Sequence, residues 1–188
     1  MKRPFNKLFL GFLFVLLDIN IFIDILPDPL GYYLIYRGLK LLLSEFPESR
    51  KAVYLTILLC IVSIPSVFIQ NFSNNPSWNM PLLSWWSVYY SVLEIMYLIL
   101  VYYVFQLMIK IVQQFGDKLL ILRTVRTFKI YFTIMITINI IRTFTINMTP
   151  NMFLFYNIAG GLIGITLQLI FLFLLKRFKS IDLMAQTS

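Results

Sequence analysis

Histidine is absent from this 188-residue chain, and cysteine occurs once, at Cys60. Those two absences exclude histidine acid–base chemistry, His/Cys zinc sites and structural disulfides. Charge is scarce too: 13% of residues are Asp, Glu, Lys or Arg, where soluble domains carry about a quarter. No cofactor motif and no metal-ligand cluster is legible, although a hard cation held by carboxylate and carbonyl oxygens stays chemically open.

What is present is apolar. Hydrophobic residues make up 60% of the chain and aromatics 17%, and the mean hydropathy is +0.82. This composition belongs to a polytopic membrane protein. The expected fold is all-α: one integral membrane domain over residues 1–188, a six-helix transmembrane bundle without a separate soluble domain.

Charge-free intervals and turn signals divide the chain. No charged residue occurs from Ala52 to Leu93, and Glu94 stands alone between Lys51 and Lys110. The Asn- and Pro-rich stretch from Asn71 to Pro81 breaks that interval into two spans. A second interval, Ile130 to Leu175, is interrupted by Arg142 and broken at Asn147-Met-Thr-Pro-Asn151. The basic start Met1-Lys-Arg-Pro-Phe-Asn-Lys7, followed by apolar Leu8 to Leu17, resembles the opening of a signal peptide. No small-residue cleavage site follows, so an uncleaved first span is expected. Spans are therefore placed at 8–26, 30–46, 52–70, 84–109, 128–147 and 152–175. The second is short and amphipathic and carries Arg37 and Lys40. A full crossing and a re-entrant hairpin with 8–26 both fit it.

The basic residues orient the chain. Lys2, Arg3 and Lys7 precede the first span, and Arg50 and Lys51 precede the third. Lys110, Lys118, Arg123, Arg126 and Lys129 separate the fourth from the fifth, and Lys176, Arg177 and Lys179 follow the sixth. If 30–46 returns across the membrane, all of these fall on one side, and the positive-inside rule puts both termini in the cytoplasm. That rule accounts for the formal charge of +8 without nucleic acid. The mixture of Leu and Ile with basic residues from Ile111 to Lys129 suits an interfacial helix against anionic lipid.

The polar residues left inside the spans are the candidate site. Asp18, Arg37 and Glu94 fall near mid-depth, Asp24 and Arg142 towards the outer side, and Lys40 towards the inner side. Acids and bases are matched in number, so internal pairing is one reading: Asp18 or Glu94 with Arg37, and Asp24 with Arg142. The other is a ligand site, since ionisable groups at membrane depth also mark solute and ion paths. Asn20 and Asp24 share a helix face, and Trp86, Tyr90, Glu94 and Tyr97 follow helical spacing. Pro27, Asp28, Pro29 and Gly31 read as a structural turn, with Asp28 capping the next helix and Gly31 allowing close packing. Gly160, Gly161 and Gly164 supply a small-residue step expected to pack against another helix of the same bundle.

The segment Asp24-Ile-Leu-Pro-Asp-Pro-Leu-Gly-Tyr32, continued by Leu34-Ile-Tyr-Arg-Gly-Leu39, resembles a D-I-L-P-D-x-x-G-Y signature. That signature lies near the N-terminus of uncharacterised small multi-pass membrane proteins of Gram-positive bacteria. Asp24, Pro27, Asp28, Gly31 and Tyr32 carry the match. The resemblance implies a bacterial plasma membrane and supplies no activity. In size and threading the chain is also similar to the substrate-binding subunits of energy-coupling-factor transporters, although their Ala-x-x-x-Ala step on the first span is absent.

Two functions follow as expectations. The first is non-catalytic binding or transport of a small solute or cation through a polar intramembrane pocket. The second is a membrane partner or regulatory subunit whose intramembrane charges are structural ion pairs. An enzyme is not expected. Asp18 and Asp24 share one segment, and no nucleophile, base and orienting group can be assembled.

Overall fold

The long apolar runs of the sequence form helices. The computed structural model describes residues 2–18, 28–66, 85–115, 117–144 and 149–179, excluding the side chains of Asp18, Trp86, Ser87, Thr143 and Pro150. Among these residues there are six α-helices and no strand. They are α1 (Lys2–Asp18), α2 (Asp28–Leu42), α3 (Arg50–Val62), α4 (Trp85–Phe115), α5 (Lys118–Phe144) and α6 (Pro150–Phe178). A 3₁₀ turn, Pro47–Ser49, leads into α3.

Three stretches are long and apolar enough to cross a membrane: Pro47–Ser66, Val88–Phe115 and Asn151–Phe178. The described lengths of α1 and α2 are 17 and 15 residues. At about 1.5 Å per residue these are roughly 26 and 22 Å long, short of a hydrocarbon core of about 30 Å.

The basic segment expected to lie along the interface is not a separate element. Ile111 to Phe115 finish α4, and Lys118 to Lys129 open the 27-residue α5. No Pro or Gly interrupts the chain from Lys118 to Phe144, so the helix has no reason to end between the basic and apolar halves. Asp117 starts it. Its Oδ1 accepts from the Leu120 amide at 3.0 Å, and its carbonyl accepts from the Ile121 amide, which is N-cap geometry.

The chain divides into two units: Met1–Met108 with Leu175–Ser188, and Ile109–Leu174. In the first, α1 and α2 form an antiparallel hairpin closed by glycines. A Cβ on Gly11 would stand 2.7 Å from the Gly31 carbonyl and 2.8 Å from the Ile35 nitrogen, and one on Gly31 would stand 2.7 Å from Val15 Cγ2. Gly38 lies equally close to Pro4 and Leu8. Gly31 and Gly38 are two turns apart and so present one face, and only residues without a side chain let two backbones come this near. Around the seam Leu8, Phe12, Ile35 and Leu39 are fully buried, and α2 packs in turn on α3.

The two ends of the chain meet in this unit. The rings of Phe5 and Phe178 lie 5.3 Å apart, and Lys179 Nζ donates to Asn6 Oδ1 at 3.0 Å. The start of α1 and the end of α6 are therefore at one level.

The second unit is built on α5 and α6. Tyr131 packs on Phe171 and donates from its hydroxyl to Gln168 Oε1 at 3.1 Å. Gln168 is only 4% exposed. Towards the connection between these helices burial ends: Ile140, Ile141, Phe144, Met152, Phe155 and Ile158 are all exposed.

Candidate functional site

Of the residues proposed for an intramembrane polar site, Asn20 and Asp24 lie outside the described residues, as do Pro27 and the side chain of Asp18. The others fall in different surroundings. Glu94 is half-buried on α4, between buried Leu93 and a turn closed by Tyr97, whose ring meets Phe12 edge-on at 6.1 Å. It is thus a carboxylate at the edge of the packed face of a 28-residue apolar span. The aromatic stripe drawn from helical spacing straddles that edge, since Tyr97 is buried and Tyr90 exposed.

Arg37 is exposed on α2, on the side opposite the glycine seam. Its guanidinium lies 5.9 Å from the centre of the Tyr33 ring, and Lys40 Nζ lies 5.7 Å from that of Tyr36. Cation–π contacts of this kind contribute about 0.5–1 kcal/mol at exposed positions. Arg142 is exposed near the end of α5.

At the turn end of the first unit, backbone and side-chain polar groups converge. Asp28 is the first residue of α2, where a carboxylate faces the positive end of the helix dipole. Pro29 follows it, and its carbonyl accepts from Cys60 Sγ at 3.4 Å. Tyr89, one turn into α4, donates to the Val62 carbonyl at 2.7 Å, with Ser66 and Asp28 among the groups around its hydroxyl. These contacts tie the start of α2, the end of α3 and the start of α4 together. Tyr89 was not singled out from the sequence. One signal pointed to it: a tyrosine in the first turn of a span, where its hydroxyl can reach a freed carbonyl.

In the second unit the geometry is different. A groove of about 670 Å³ runs between α5 and α6, from Thr133 to Ile141 on one wall and from Asn151 to Ile163 on the other. Two of its polar side chains are turned back on the backbone. Thr137 Oγ1 donates to the Thr133 carbonyl at 2.8 Å, and the Tyr156 hydroxyl donates to the Ile138 carbonyl. What the walls present is methyl and ring carbon. The floor is opened by Gly160, where an added Cβ would stand 3.7 Å from Ile138 Cγ2. Among the described residues nothing lies within 4 Å of a Cβ placed on Gly161 or Gly164.

Comparison with protein-family models, with curated proteins and with solved structures finds no match to this chain.

Proposed function

We propose that this chain is a bacterial plasma-membrane protein that crosses the bilayer six times with both ends in the cytoplasm. It binds or moves a small polar solute or cation without catalysis. The observation that carries the reading is Glu94, half-buried against the packed face of an apolar span. Carboxylates within apolar spans mark solute and ion paths. The acid-rich segment holding Asp18, Asn20 and Asp24 belongs by sequence to the same unit and supplies further oxygen donors.

The threading draws support from the meeting of Phe5 with Phe178 and of Asn6 with Lys179. Ends at one level require an even number of crossings. The α1–α2 hairpin contributes an even number whether or not it spans, and a crossing by α5 along with α3, α4 and α6 keeps the total even. Cysteines placed at Glu45 and Asp117 in a Cys60→Ser background then label from the cytoplasmic side only. Labelling of either from the outside would refute the threading.

The ligand reading is tested on purified full-length protein by thermal unfolding against alkali and divalent cations and water-soluble vitamins. A ligand at about a hundred times its Kd stabilises the protein by roughly 2.7 kcal/mol. Glu94→Gln removes that shift and Asp182→Asn leaves it. If no ligand in the panel stabilises the protein, the reading fails.

A second reading, a membrane partner subunit, is favoured by Arg37. An exposed guanidinium on a membrane-embedded helix costs about 3 kcal/mol at mid-depth unless it snorkels or is covered, and another chain's carboxylate would cover it. Photo-crosslinkers at Tyr33 and Leu41 in native membranes then capture a second polypeptide. Recovery of this chain alone counts against that role.

A further inference from the structure

The α5–α6 groove belongs to neither reading, and its geometry points to a distinct ligand. We propose that it seats one acyl chain of a membrane phospholipid, in the leaflet that contains the connection between α5 and α6. The inference rests on these helices spanning the bilayer.

Length is the first argument. At about 1.5 Å per residue, Thr133 to Ile141 covers roughly 12 Å and Asn151 to Ile163 roughly 18 Å, bracketing the roughly 15 Å depth of one leaflet's hydrocarbon. Width is the second. About 670 Å³ drawn out over that length makes a narrow groove, the shape of one extended acyl chain.

The chemistry agrees. Thr137 and Tyr156 spend their hydroxyls on backbone carbonyls, which leaves Thr133 as the one wall hydroxyl not so engaged among otherwise apolar side chains between the groove's ends, and a polar solute would lose most of its hydration without replacement. Polarity returns at the end of the groove: Asn151 and Arg142, the residue after Ile141, are exposed there. That is headgroup depth, where a guanidinium and an amide suit phosphate and ester oxygens. Gly160 is what leaves room, because a side chain there would project towards Ile138.

The test uses full-length protein in vesicles containing phosphatidylcholine with a diazirine midway along one acyl chain, with adducts mapped by mass spectrometry. Wild-type adducts concentrate on Ile138, Phe155 and Ile163 relative to Ile57 and Ile61, which are exposed on α3. Gly160→Leu lowers groove adducts at least about threefold and leaves the α3 adducts unchanged, because packing alone holds a chain there in lipid. Gly160→Ala, whose Cβ makes an ordinary contact at 3.7 Å, keeps the wild-type pattern. The wild-type map decides the matter even if Gly160→Leu does not fold. Adducts spread evenly over groove and α3, or concentrated on α3, overturn the proposal. Loss of the chain from vesicles under alkaline carbonate overturns the membrane reading instead.

Discussion

Replacing Gly11 by alanine should destabilise the fold, whereas the same change at Gly161 or Gly164 should not. At Gly11 the new methyl would lie 2.6 Å from Ile35 Cγ1, 2.7 Å from the Gly31 carbonyl oxygen and 2.8 Å from the Ile35 nitrogen. Two of these are backbone atoms and cannot rotate away. Restoring contact at 3.4 Å, where ordinary van der Waals spacing begins, requires α1 and α2 to part by about 0.7 Å (3.4 minus 2.7). A gap of about 0.5–1 Å forfeits a quarter to a half of each dispersion contact it opens, and it opens them along the whole seam of Leu8, Phe12, Ile35 and Leu39. Overpacking of this kind costs about 1–3 kcal/mol, and rigid backbone neighbours put Gly11 at the upper end. Alanine's better helix propensity returns up to about 1 kcal/mol. The net loss is about 2 kcal/mol. At Gly31 and Gly38 the nearest atoms are side-chain carbons of Val15 and Leu8, at 2.7 and 2.9 Å, with the Gly11 and Pro4 carbonyl oxygens each at 3.0 Å. The backbone there stands further off than the 2.7 Å met at Gly11, so the loss is smaller, about 1 kcal/mol. Gly161 and Gly164 meet nothing within 4 Å among the described residues, so alanine there is neutral or stabilising by a few tenths of a kcal/mol. Thermal unfolding of the full chain in a mild detergent measures all five variants. Equal stability of Gly11→Ala and wild type, or a fall at Gly161 as large as at Gly11, would refute the packing argument.

Other perturbations test other parts of the structure. Tyr131→Phe strands the buried Gln168 oxygen and should cost about 1–3 kcal/mol, while adding Gln168→Leu recovers most of the loss; a double-mutant cycle with no coupling would contradict the 3.1 Å bond. Asp117→Ala removes the cap on α5 and should cost about 1 kcal/mol, with Asp117→Asn close to wild type. Equal loss in the two variants would show that charge at that position matters more than capping. Tyr89→Phe should loosen the turn end of the first unit, read as faster amide exchange around Val62 and Ser66, while exchange at Gln168 stays unchanged.

Much of the architecture was legible in one dimension. The charge-free run from Ala52 to Leu93 holds most of α3 and the start of α4, on either side of the Pro- and Asn-rich stretch. Asp117, which caps α5, was not singled out from the sequence, which places the span at 128–147 and gives the basic stretch before it an interfacial reading. The candidate site was less legible. Arg37 and Glu94 have the depth and sign of partners, yet Arg37 faces away from the α1–α2 seam and stacks on Tyr33. Helical spacing tells which residues share a face and not which face is covered.

The glycines divide the two kinds of information most clearly. Composition and hydropathy alone determine an all-helical, membrane-type chain, because the cost of placing charge or unsatisfied backbone in hydrocarbon is paid residue by residue. Gly160, Gly161 and Gly164 have the spacing of a packing motif and border a groove and open space. Gly11, Gly31 and Gly38, a less conspicuous set, carry the closest helix contact described. That outcome depends on which backbone stands opposite each glycine, a relation between residues far apart in sequence that only the tertiary structure decides.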